Sequence, residues 1–163
     1  MLNQRDNNKI LPTITTAIHP EFKKLFDELE QGHIALREKL NALSLRGKEL
    51  EERLTAELAV FSPWRFQFFD NLGRIAFDEV PEQRETHQRY IANTRYYQIV
   101  QEAPFYWQIM NKPEGYAGDA EMMNLIYCNR YEGNTSFGML LHKDAVASDA
   151  CQAVRNRRTF LRE

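Results

Sequence analysis

Residues 36–61 read LREKLNALSLRGKELEERLTAELAVF, with Leu36, Leu40, Leu43, Gly47, Leu50, Leu54, Leu58 and Phe61 recurring every three or four positions. At about 100° per residue they share one narrow stripe of a helix. Charged Glu38, Lys39, Lys48, Glu49, Glu52 and Arg53 lie elsewhere around it. A stripe this narrow is a coiled-coil seam rather than the broad face of a globular helix. The pattern predicts one long helix whose seam pairs either with another helix of the same chain or with a second copy in a homodimer. Short connections in helical domains favour the first arrangement.

Outward from the seam the pattern stays helical. Upstream, residues 1–19 are polar and Thr-rich, which predicts a flexible N-terminal arm. A helix is expected after Pro20, carrying Phe22/Phe26 and Leu25/Leu29. Downstream, Ser62-Pro63 has the form of an N-cap followed by proline at the first helical position, so a new helix is expected from Trp64. Pro81 opens a helix running to about Val100, and Pro104 another. Asp119 caps a helix from Ala120, expected to be largely buried because Met122, Met123, Leu125, Ile126 and Tyr127 surround it. Ser136 to about Ser148 is a further helix, and Asp149 caps a last one to Glu163. No strand-type alternation and no internal repeat occurs. The fold class is therefore all-α: a multi-helix bundle with one long coiled-coil-like helix and no Rossmann core. Residues 20–111 form the bundle region and 112–163 a distinct segment.

Composition bounds the function. The 163 residues include 10 Phe, 7 Tyr and 2 Trp, enough to build a packed core. With 21 Lys+Arg against 23 Asp+Glu the chain lacks the basic field that non-specific nucleic-acid binding relies on. No apolar run is long enough to span a bilayer and the N-terminus has no apolar signal core, so a cytoplasmic location is expected. Cys128 and Cys151 form no CxxC or Cys/His cluster, which fits a reduced compartment. Glu30-Gln31-Gly32-His33 has the Glu-x-x-His spacing of di-iron bundles, but a single copy cannot complete a coordination sphere, and no metal is expected. The glycines form no GxGxxG or Walker A run.

Two segments stand out chemically. Gly115-Tyr116-Ala117-Gly118-Asp119 places a ring between two glycines ahead of a helix. It reads either as a turn with an Asp N-cap or as a loop whose backbone approaches a ligand, with Tyr116 stacking and Asp119 accepting hydrogen bonds. In the last helix Ala150, Ala153, Val154, Phe160 and Leu161 share an arc that includes Arg157, whereas Arg155, Arg158 and Arg162 form an adjacent stripe. Arg157 is thus expected to face inward, toward a carboxylate, a carbonyl or an anionic ligand.

Lys112-Pro113 with Gly115 to Asp119, then Glu121-Met122-Met123, Ile126-Tyr127, Leu140-Leu141-His142 and Ala153-Val154-Arg155-Asn156-Arg157-Arg158, resembles the stretch preceding the catalytic domain in bacterial class I S-adenosylmethionine-dependent methyltransferases. These are the ones related to the extracellular factor (3-hydroxypalmitic acid methyl ester) biosynthesis protein. The resemblance covers Lys112 to Arg158. It implies an N-terminal helical cap, catalytically silent alone, leading into a Rossmann-like methyltransferase domain of the same polypeptide that carries S-adenosylmethionine. It further implies that Tyr116, Asp119, Arg155 and Arg157 serve the cofactor, and that Gly115, Gly118 and His142 lie toward the substrate. The alternative is a non-enzymatic module that dimerises or binds a partner helix through the Leu36 to Phe61 seam.

Overall fold

The computed structural model describes residues 17–113, 115–116 and 118–160, with side chains as far as Arg157. The expected N-terminal arm, up to residue 16, lies outside the described residues, as do Leu161 and Arg162.

Among the described residues the fold is an all-α bundle without strands. Helix α1 (Pro20–Asn41) and helix α2 (Gly47–Arg74) take up the seam, but as two helices and not one. The chain leaves the helical path at residues 42–46, where Ser44 weakens helix propensity, and Gly47 at φ +55° turns it into α2. The contacts Lys39–Glu57, Gly32–Trp64 and Glu21–Arg74 run in opposite order along the two helices, so they form an antiparallel hairpin. The predicted continuous helix over 36–61 is therefore corrected. Its two half-stripes fold onto the same core, where Leu40, Leu50, Leu54 and Phe61 are buried.

A second correction concerns Pro63, which lies inside α2 and opens no new helix. It brings no N–H to the carbonyl of Ala59, a loss of about 3 kcal/mol in an ordinary helix interior. Burial of Phe61, Arg65 and Leu72 on either side keeps α2 continuous. The helix ends in a wide turn over Ile75–Glu79, closed by Val80 N–H donating to the Ile75 carbonyl at 3.0 Å.

The predicted single helix from Pro81 to Val100 is instead α3 (Arg84–Ala92) and α4 (Arg95–Ile99), because Thr94 caps the latter through Tyr97 N–H. Then come α5 (Pro104–Asn111), α6 (Ala120–Cys128), α7 (Ser136–Val146) and α8 (Asp149–Phe160). It is α7, not α6, that is largely buried. Phe137, Leu140 and Leu141 enter the core of α1 and α2, while Ala145 and Val146 join a second cluster with Phe105, Leu125, Ile126 and Cys151. In α6 the methionines and Tyr127 are only half-buried. Helix α7 so ties segment 112–163 to the 20–111 region.

Two polar groups fix the start of α7. Thr135 Oγ1 accepts from Gly138 N–H at 2.9 Å, and Asn41 Oδ1, from the end of α1, accepts from Phe137 N–H at 3.0 Å. No described helix is long and apolar enough to cross a membrane.

Candidate functional site

The loop between α5 and α6 forms the turn its glycines predict. Lys112 ends α5 in the left-handed region and its carbonyl accepts from Gly115 N–H at 2.8 Å. Gly115 has φ +86°, a conformation strained for any L side chain. Tyr116 is 58% exposed, and Gly118 is exposed as well.

Asp119 is buried, and both its oxygens are engaged. Oδ1 accepts from Met122 N–H at 2.8 Å as the N-cap of α6, and Oδ2 accepts from the Gln108 amide. The cap reading of this loop is thus realised in full.

The phase of α8 differs from the one predicted. Cys151, Val154 and Arg155 face the bundle, and Arg157 is exposed. The alanines at 150 and 153 had drawn the inward arc around Arg157, but alanine is small enough to sit on either face, and Ala153 is exposed. Arg155 takes the inward place. Its Nη1 donates to the Val146 carbonyl at 2.6 Å and the Ile126 carbonyl at 3.1 Å. These lie in the last turns of α7 and α6, where helix dipoles favour a cation. Ser148, not Asp149, caps the helix, accepting from Cys151 N–H through its hydroxyl at 3.5 Å.

His142 is fully buried. Its Nδ1 accepts from Phe105 N–H at 3.3 Å, and burial lowers its pKa to about 4, with the nearby Lys143 ammonium acting in the same direction. The predicted site residues therefore do not converge. Asp119 opens α6 and Arg155 binds near its far end, seven residues on, about 10 Å along the helix at 1.5 Å per residue.

The Glu30 and His33 pair is also spoken for. Glu30 accepts from Tyr96 N–H at 2.8 Å, and His33 Nδ1 donates to the Leu29 carbonyl at 2.8 Å. His33 is ringed by Phe61, Trp64, Tyr96 and Phe137. Burial holds its pKa at about 4, with Arg65 adding to the effect. Among the described residues no group of His, Cys, Asp or Glu is assembled to hold a metal ion.

A broader concavity lies elsewhere. A half-open groove of about 860 Å³ runs between α2, α5, α7 and the start of α8. Its walls are mostly apolar, and its floor carries a buried polar cluster. Arg65 Nη1 and the Ser62 hydroxyl both donate to Asp144, and Arg65 Nη2 donates to the Tyr106 hydroxyl oxygen. The guanidinium carbon lies 4.9 Å from the Phe69 ring centre and 5.3 Å from that of Tyr106. A smaller cavity of about 300 Å³, lined by Phe22, Leu72, Phe77 and His87, shares Phe69 with it.

Sequence reasoning passed over this groove. Its signal was an arginine set inside the aromatic run Trp64 to Phe69, since a charge on an aromatic helix face requires a partner. That partner, Asp144, is far away in sequence. Compared with known proteins, the chain matches no family model, no curated protein and no solved structure.

Proposed function

We propose that this chain is the helical cap of a class I S-adenosylmethionine-dependent methyltransferase, silent by itself, that positions substrate and excludes water over a catalytic domain carried by the same polypeptide. The observation that carries this reading is the Arg155 clamp. The stretch with the methyltransferase-like motifs closes α6, α7 and α8 around a common apolar cluster, and Arg155 fastens α8 to the ends of both other helices. Helix α8 is thereby held against the bundle, the firm support that a cap over a cleft requires.

On this reading the seven site residues divide by role. Asp119, Arg155 and His142 act through position, since the Asp119 oxygens, Arg155 Nη1 and His142 Nδ1 bond within the bundle. Tyr116, between Gly115 and Gly118, and Arg157 present exposed side chains that can lie over a cofactor or meet its carboxylate. The described residues offer S-adenosylmethionine a cover and not a cradle. Methyl transfer asks little covalent help of the protein, so orientation and dryness are what a cap contributes. Against a dimerising seam, Leu40, Leu50 and Leu54 are buried within the chain and the other leucines of residues 36–61 pack partly against the same core, which supports the cap reading.

Calorimetric titration with S-adenosylmethionine and S-adenosylhomocysteine tests the proposal on this chain and on the polypeptide read onward through its gene. The expected result is binding by the extended polypeptide alone, weakened by Tyr116→Ala or Arg157→Ala. Absence of binding by the extended polypeptide overturns it.

A further inference from the structure

The groove beside Arg65 has a donor–acceptor balance that is not closed by the protein. Arg65 is about nine-tenths buried, and its Nε–H has no acceptor. The Tyr106 oxygen accepts from Arg65, but among the described residues nothing accepts the Tyr106 hydroxyl hydrogen. A buried or half-buried donor without a partner is costly, and this cluster is short of two acceptors, one for Arg65 Nε–H and one for the Tyr106 hydroxyl.

The charges, by contrast, balance. One guanidinium faces one carboxylate, and Asp149 at the rim sits on the first turn of α8, where it already answers the positive end of that helix. An anionic ligand would meet no free cation here, and a cationic one would compete with Arg65. Above the floor, Leu58, Phe66, Phe69 and Phe105 provide apolar and aromatic walls. A volume of about 860 Å³ is in the range of small-molecule sites, which are apolar clefts with a few converging polar groups.

We infer that this groove binds an uncharged, flat, largely aromatic molecule whose carbonyl oxygen accepts the free hydrogen bond of the Tyr106 hydroxyl. Phe66, 73% exposed, and Phe69, 38% exposed, are the walls such a ring system would cover. The inference goes beyond the capping role, because the groove lies wholly in this chain and needs neither S-adenosylmethionine nor a second domain.

The test uses prodan, an uncharged naphthyl ketone whose emission moves to the blue in an apolar site, titrated against the chain. Saturable binding at one site is expected. Tyr106→Phe keeps the ring and removes the hydroxyl, and should weaken binding about fivefold, the worth of one hydrogen bond. Ala59→Trp, at an exposed position on the groove wall, should abolish it, while Phe77→Ala in the smaller cavity should leave it unchanged. Circular dichroism establishes that each variant is folded, and Ala59→Trp keeps the test decisive if Tyr106→Phe is not. Binding that does not saturate, that survives Ala59→Trp, or that is lost in Phe77→Ala overturns the inference. So does tighter binding of the anionic anilinonaphthalene sulfonate.

Discussion

Gly32 and Trp64 meet where α1 and α2 cross. A Cβ at residue 32 would stand 2.5 Å from two carbons of the indole, well inside contact distance. Gly32→Ala gains helix propensity, yet overpacking outweighs it, and a net loss of about 1–2 kcal/mol is expected in urea unfolding. At Asp144 the cost is electrostatic. Asp144→Ala strands the buried Arg65 guanidinium, and a loss of about 3–5 kcal/mol is expected. Replacing both partners at once, Arg65→Met with Asp144→Leu, should restore much of that stability, and equality of the double and single variants would contradict the account.

The buried imidazoles set the pH response. His33 and His142 have folded pKa values of about 4, against an ordinary value of 6.5 in the open chain. His87, stacked on Phe22 at 3.9 Å, is lowered by burial as well. The unfolded chain therefore binds more protons than the folded one, so this contribution is whole above about pH 6.5 and is lost as pH falls toward about 4. The thermal midpoint should decline across that window, and less steeply in His142→Asn.

At the scale of elements, α2 carries the strongest conflict between local rule and fold. Pro63 removes a hydrogen bond from the middle of a 28-residue helix and is itself exposed. Pro63→Ala is expected to raise the thermal midpoint, since the backbone there is already helical and the N–H to Ala59 is restored. This residue also marks where the sequence misled. Ser62-Pro63 has every local mark of a helix start, but the packing of Phe61 and Arg65 on the core holds the helix through it. The 36–61 stripe misled in the opposite sense. Leu40, Leu43, Gly47 and Leu50 keep helical spacing across a reversal, because both arms of a hairpin need apolar residues toward the same core. By contrast, Pro20 and Asp119 act locally and were legible as helix starts. Asp119→Ala should cost about 1–2 kcal/mol in thermal unfolding, the usual price of losing a helix cap.

The whole molecule hangs on α7. Phe137, Leu140 and Leu141 complete the core that α1 and α2 begin, while Ala145 and Val146 complete the cluster of α5, α6 and α8. The two clusters should melt in one calorimetric transition, and residues 1–111 expressed alone should lack a cooperative melt. Contacts of this kind join residues as far as 96 positions apart, such as Asn41 and Phe137, and no periodicity in the sequence announces them. The same holds for the groove, whose floor unites Ser62, Arg65, Tyr106 and Asp144 from three helices.

The crossing of α1 and α2 also makes the protein its own lamp. Trp64 is half-buried with the His33 ring centre 5.6 Å from its own, while Trp107 is 46% exposed on α5. A protonated imidazole quenches indole light, so the bluer emission should dim as His33 takes up its proton, with the redder glow of Trp107 as an internal standard.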